Sequence, residues 1–227
     1  MNNILTIDTS SSRCSVAVQF AGGLIERISD AERQSAQRVL PMVSELLSES
    51  GISLAELDVI AVVAGPGSFT GVRIGVAVAQ GLGMSQDIPV ISLSSLALLA
   101  VATVEESACS HVLVCEEARE GEVYFAAYRQ SEKLGVELLG SEQVALPEKL
   151  LPLSEHSQNA QWRLVGTGWS NHMGILGILN SASTGQVCEP VISNQLIAQQ
   201  AERRFMAGEA VNADQVRPNY VKEQLDY

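Results

Sequence analysis

The apolar run "ILTID" ends on Asp8 and is followed at once by Thr9, Ser10, Ser11 and Ser12. A carboxylate and four hydroxyls at a strand end can gather a metal ion and a phosphate. The same residues also make a plain Asx or Ser/Thr turn between two strands. A second acidic group, Glu116, Glu117 and Glu120, sits in "CEEARE". Carboxylates so placed can exchange protons or hold Mg²⁺ through water, and they equally mark a solvated hairpin turn. "VGTG", Val165 to Gly168, offers bare backbone to a base or ribose, or simply turns the chain.

The densest run of small residues is "AGPGSFTGVRIGVAVAQGLG". A P-loop needs Lys after its glycines, and none follows; the dinucleotide pattern GxGxxG fails because Thr70 stands where its third Gly belongs. The backbone amides of "GPGSFTG" at a helix start remain a candidate anion site. Spacing gives a better account. Gly67, Gly71, Gly75, Ala79 and Gly83 recur every four residues and form one nearly bare helix stripe. Each internal Gly costs about 1 kcal/mol relative to Ala, so a closely approaching neighbour should compensate. That neighbour is either another part of this chain or a partner, and the stripe reads first as a helix-docking segment.

Other chemistry is poorly represented. The histidines His111, His156 and His172 show no three- or four-residue spacing and no HExxH, so no zinc or iron site is expected. No GxSxG elbow is present. Cys14, Cys109, Cys115 and Cys188 form no CxxC pair and read as reduced thiols. Acidic residues outnumber basic ones 26 to 14, for a net charge of −12. Nucleic-acid affinity comes largely from neutralising phosphates, so this chain is a poor direct binder of RNA or of anionic membranes. The start lacks a signal-peptide pattern and no apolar run is long enough to span a bilayer, which points to a cytoplasmic protein.

The elements that must position these residues are readable. "NILTIDTSS", "RCSVAVQF" and "GLIERIS" predict three strands. "AQRVLPMVSELLSESG" has the helical pattern and closes at Gly51, with Pro41 inside it. "LDVIAVVAG" predicts a buried strand feeding the helix "TGVRIGVAVAQGLG"; "IPVISL" and "SSLALLAVATVE" add a strand and a helix capped by Ser94. "SHVLVCEEAREGEVYFAAYRQ" then repeats the opening layout of "LTIDTSSSRCSVAV". "GVELLGSEQVAL" and "WRLVGTG" predict further strands, "SNQLIAQQAERRFMAG" an amphipathic helix, and "VRPNYVKEQLDY" a polar surface tail. Two α/β lobes with mixed sheets follow, residues 1–105 and 106–227, with the last helix and tail packing back on the first lobe. A cleft between such lobes is the natural ligand site.

Taken in order, "ILTIDTSSSRCSVAV", "AQRVLPMV", "GPGSFTGVRIGVAVAQGLG", "EAREGEVYFAAY", "VGTGW" and "PNYVKE" resemble the TsaB (YeaZ) family, from residue 4 to residue 222. The resemblance implies the actin/sugar-kinase/Hsp70 fold, two α/β lobes with a hinge and a nucleotide cleft. It implies a non-catalytic subunit that acts with a paralogue, TsaD, and an ATPase, TsaE. Together they move a threonylcarbamoyl group from its adenylate to the adenosine beside the anticodon of tRNAs reading codons that begin with A. The implied partners are TsaD and TsaE, with a homodimer when the chain is alone and tRNA met only through the complex. The implied mode of action is that helices at about residues 36–50 and 70–83 clamp TsaD and favour its competent state.

On this resemblance the interface residues are Val39, Val43, Gly67, Ser68, Phe69, Thr70, Gly71, Val72, Arg73, Gly75 and Ala79, and Gly75→Arg should abolish pairing. A degenerate nucleotide cleft would involve Asp8, Thr9, Ser10, Glu117, Arg119, Gly166 and Gly168, with no metal, no tightly bound cofactor and at most weak ATP or ADP binding. Two departures weaken nucleotide chemistry: Ser35-Ala36 stands where relatives often carry His-Thr, and Glu117-Ala118-Arg119 where many have Asp-Ala-Arg. The alternatives are an ATP-dependent phosphotransferase or ATPase of the same fold and a metallopeptidase-like protein.

Overall fold

A computed structural model describes residues 2–30, 35–107, 109–151, 161–178 and 182–221. The chain divides into two compact units, one of residues up to Ser95 together with Ser193–Asn219, the other of Leu96–Ile192. The division falls at Ser95 rather than at residue 105, and the late helix is part of the first unit.

The first unit starts with strands β1 (Ile4–Asp8), β2 (Cys14–Phe20) and β3 (Gly23–Ser29), then helix α1 (Ser35–Ser50), strand β4 (Val59–Gly65), helix α2 (Phe69–Gln86) and strand β5 (Val90–Ser94). Its sheet runs β3-β2-β1-β4-β5, antiparallel through β1 and parallel from β1 to β5. Alternation along each strand feeds two faces. Leu5, Ile7, Val16, Val18, Ile60 and Val62 join Val39, Met42 and Leu46 of α1 and Val76 and Ala79 of α2 in one core. Helix α6 (Asn194–Met206), capped by the Ser193 hydroxyl, packs on β1, β2, β4 and β5.

The ends of α1 and α2 that frame the site have visible causes. Gly51 takes φ +72° after α1, and Pro41 sits within that helix without ending it. Ser68 Oγ accepts the Gly71 amide at the start of α2, and Asp87 closes it in the left-handed region. The polar tail is not all surface. Val216 is buried and the Asn219 amide donates to the Ala64 carbonyl at 2.8 Å, while just before the tail Val211 bridges Val90.

The second unit opens with helix α3 (Ser95–Ser107) and strands β6 (His111–Glu117), β7 (Val123–Ser131), β8 (Gly135–Leu138), β9 (Gln143–Ala145) and β10 (Gln161–Val165). Short helices α4 (Trp169–His172) and α5 (Ile175–Ile178) and strand β11 (Ala182–Cys188) complete it. Its sheet runs β8-β7-β6-β10-β11, antiparallel through β6 and parallel beyond it, with β9 also on β7. Strand for strand this is the order of the first sheet. The duplication read from pattern is therefore real in topology, and the architecture is the duplicated mixed-sheet α/β arrangement of the actin/sugar-kinase/Hsp70 fold. Among the described residues no helix is long and apolar enough to cross a membrane.

Candidate functional site

In the first unit the acidic turn and the glycine helix are one structure. Asp8 Oδ1 accepts the Ser10 amide at 2.8 Å and the Ser10 hydroxyl at 2.6 Å, a closed Asx turn. The next carbonyls lie on the bare stripe of α2. A Cβ built on Gly67 would stand 2.3 Å from the Ser10 carbonyl oxygen, one on Gly71 2.0 Å from that of Thr9, and one on Gly75 2.5 Å from Thr9 Oγ1. Further along, a Cβ on Gly83 would stand 2.6 Å from the Ala213 methyl. Hydrogen bonds lock the contact. The Ser68 amide donates to the Ser10 carbonyl and Thr9 Oγ1 to the Gly71 carbonyl, both at 2.7 Å.

This corrects the partner-facing reading of the stripe. Gly71, Gly75 and Ala79 are buried by the chain's own β1 turn and sheet, and Val39, Val43 and Val72 belong to the first core. None of the six offers a surface. Gly67 is exposed, yet its Cβ direction is filled by Ser10. Gly75→Arg would collide with Thr9 and test folding, not pairing. The anion reading weakens for the same reason, since the Ser68 and Gly71 amides already donate within the chain.

What remains outside is the opposite face. Ser68, Phe69 and Thr70 are exposed and Arg73 partly so. The Arg73 guanidinium lies 3.3 Å above the Phe69 ring centroid, a cation–π contact, and donates to the Phe69 carbonyl at 3.1 Å. Met84 extends this face and Leu40 is exposed on the neighbouring α1. Neither was singled out from the sequence. Projecting α2 at four- and seven-residue spacing, offset from the glycines, would have placed Met84 with Phe69, Arg73 and Ala77.

In the second unit the matching strand end, Cys115–Glu116–Glu117, meets the glycine turn that follows β10. Cβ atoms on Gly166 and Gly168 would stand 2.4 and 3.0 Å from the Cys115 carbonyl oxygen. Here the carboxylate reaches across. Glu116 accepts the Thr167 amide at 3.2 Å and its hydroxyl at 2.9 Å, and Glu117 accepts the Asn171 side-chain amide at 2.6 Å. Burial raises the Glu116 pKa against the opposing Thr167 bonds. Burial, then Glu116 and Glu117, push the Cys115 thiol up to about 12, so it is inert. Arg119 is exposed at the hairpin tip, where Glu120 and Gly121 take positive φ. Thr167 and Asn171, which fix the acids, sit some fifty residues from them in sequence.

Among the described residues no three His, Cys, Asp or Glu side chains are placed to hold a metal ion together. His111 stands edge-on to Trp162 at 5.3 Å, His172 ends α4, and His156 lies outside the described residues.

Burial also raises Asp8, outweighing its Ser10 bonds and the charge of Arg13. A carboxyl raised on folding stabilises the fold while protonated. That contribution is complete below its ordinary value of 3.8 and is lost as pH climbs through the folded value. Asp8→Asn keeps an acceptor for Ser10 and cannot ionise. It is expected to raise the urea midpoint at pH 7, with the gain fading towards pH 3; an unchanged or lower midpoint at pH 7 overturns this.

A family model described as "TsaD: tRNA N6-adenosine threonylcarbamoyltransferase" matches residues 16–199. A tRNA threonylcarbamoyladenosine biosynthesis protein TsaB from Escherichia coli is 33% identical over 98% of this chain and 95% of its own length. Its namesake from Haemophilus influenzae is 32% identical over 99% and 95%. A solved structure of YeaZ from Pseudomonas aeruginosa superposes with a TM-score of 0.79 at 34% identity, covering 97% of this chain and all of the other. Relatives that close, aligned nearly end to end on the same duplicated sheets, place the chain in the TsaB (YeaZ) family.

Proposed function

We propose that this chain is a non-catalytic subunit of the machinery that builds threonylcarbamoyladenosine in tRNA. In this reading it pairs with the catalytic paralogue TsaD through the outer face of α1 and α2, works with TsaE, and meets tRNA only within the complex. The observation that carries it is that outer face. Leu40, Phe69 and Met84 are 50, 60 and 63% exposed on two packed helices whose inner faces are fixed to the sheet. Large apolar side chains so exposed to water suit a protein interface. The relatives named TsaB supply the pathway. The chain's acids support a supporting role: Glu116 and Glu117 are engaged with Thr167 and Asn171, and Asp8 with Ser10. A net charge of −12 leaves tRNA binding to a partner. In keeping with this, nucleotide binding by the isolated chain is weak and the protein acts in the cytoplasm.

The test is Phe69→Ala in the full chain. Removing a central aromatic anchor should weaken the complex with TsaD by about 2 kcal/mol, or about thirtyfold, by calorimetry. The melting curve should stay unchanged, because the ring is mostly in solvent. Wild-type affinity in a folded variant would remove this face from the interface.

A further inference from the structure

Residues 211–219, returning after α6, lie across α2 and tie into both strands beside it. At one end Val211 and Val90 exchange backbone hydrogen bonds of 2.9 and 3.0 Å on the outer edge of β5. At the other the Asn219 amide donates to the Ala64 carbonyl of β4 at 2.8 Å. Between them Gln80 Nε2 of α2 donates to the Val216 carbonyl at 3.0 Å, and Val216 enters the first core. The Ala213 methyl occupies the room that a side chain at Gly83 would need.

The segment is built like a clip. The bonds that shape it are internal: the Gln215 amide donates to the Asn212 carbonyl, and Arg217 Nη1 donates to the Asp214 and Val216 carbonyls at 2.6 and 2.7 Å. These travel with the clip and survive its lifting. Of its nine residues only Ala213 and Val216 are buried, whereas β4 is buried from Val59 to Gly65. Gly208, exposed and at φ +78°, supplies a hinge between α6 and the clip. A segment with so few buried apolar side chains opens at a lower free energy than the core beneath it.

Closure also decides where Met84 stands. Met84 and Gln80 share an open groove of about 470 Å³ with Asp214, Val216 and Arg217, so the clip forms the wall beside Met84. With that wall in place Met84 is 63% exposed on the outer face. Lifting the clip vacates the space of Ala213 and Val216, and a flexible, unbranched Met84 can turn into it. A partner that buries Met84 therefore binds the closed form better than the open one.

We propose that residues 211–219 open as one unit ahead of the rest of the first unit, and that the protein docking on the α1–α2 face holds them shut through Met84. The proposal rests on the interface reading above and adds a moving part to it.

Amide exchange on the full-length chain, read residue by residue by NMR, tests both halves. In the isolated chain the Val90, Val211 and Asn219 amides should share one protection factor, at least about tenfold below those of Ala61 and Val62 in β4. Protection equal to that of β4 would mean that the clip opens only with the whole unit, and overturns the proposal. A partner that binds the open form about tenfold more weakly, the loss of one large apolar contact, should slow the three amides about fivefold at about ten times its dissociation constant. TsaD is the partner to add. At equal saturation Met84→Ala should lose most of that slowing. Full slowing in Met84→Ala would mean that the partner covers the clip directly, and overturns the coupling.

If Phe69→Ala weakens TsaD binding while TsaD leaves the three amides at their free-chain rates, the clip is uncoupled and the proposal falls alone. If Phe69→Ala binds like wild type, the interface reading falls and takes the coupling with it.

Discussion

Gly71→Ala is expected to destabilise the protein by about 3 kcal/mol or more, while Gly81→Ala in the same helix should stabilise it by up to about 1 kcal/mol. The opposite signs follow from what each missing side chain would meet. At Gly71 a methyl would stand 2.0 Å from the Thr9 carbonyl oxygen, far inside contact distance. Neither side can yield cheaply. The obstacle is backbone at the end of β1, and that backbone is tied to the helix by Thr9 Oγ1 and by the Ser68 amide. Relief would mean lifting α2 from the sheet, with Val72, Val76 and Ala79 coming out of the core. At Gly81 nothing lies within 4 Å, so alanine changes only helix propensity. Urea unfolding followed by far-ultraviolet circular dichroism separates the two. A Gly71→Ala variant as stable as wild type would show that the turn does not rest on the stripe.

The second large effect is expected at Gly166. Its φ is +107°, and a Cβ would meet the Cys115 carbonyl oxygen at 2.4 Å and Glu116 Oε1 at 2.6 Å. Gly166→Ala therefore combines backbone strain of about 1–3 kcal/mol with overpacking of similar size, for a total loss of about 3 kcal/mol or more. It should also push Glu116 off Thr167. Both tryptophans of the chain, Trp162 and Trp169, are buried in this unit, and Trp169 Nε1 donates to the Val165 carbonyl at 3.1 Å beside the turn. Tryptophan fluorescence thus reports this site directly. The expected result is a red-shifted emission and a lower urea midpoint; wild-type values for both would refute the strain argument.

These two sites show where sequence reading succeeds and stops. The strands of the first sheet and helices α1, α2 and α6 were legible because apolar period and punctuation agree: "LDVIAVVAG" is apolar throughout, Gly51 stops α1, and Ser193 starts α6. Strand β11 was not. "ASTGQVC" is small and polar, and it joins the sheet at an edge with only β10 to pair with. Four-residue glycine spacing showed that something must approach α2 closely. It carried no information about what, because the occupant is a pair of carbonyls some sixty residues earlier. The latch of Glu116 on Thr167 was hidden in the same way, since its partners meet only when β6 and β10 lie side by side. The exposed face was the reverse case. Phe69 and Arg73 were named with the buried stripe as one surface, and Met84 was not, because residue type alone does not separate the two faces of α2.

The discontinuous make-up of the first unit bears on how the protein is made. Residues up to Ser95 form its five strands, yet α6, which covers β1, β2, β4 and β5, comes only after Ile192. On a ribosome moving at about 5–20 residues per second, that sheet waits about 5–20 s with one apolar face uncovered. The second unit suffers no such delay, because its strands leave the tunnel in one continuous stretch. Helix α6 thus emerges well after the sheet it seals, and a nascent chain halted before residue 193 would be an aggregation-prone species rather than a shorter working one.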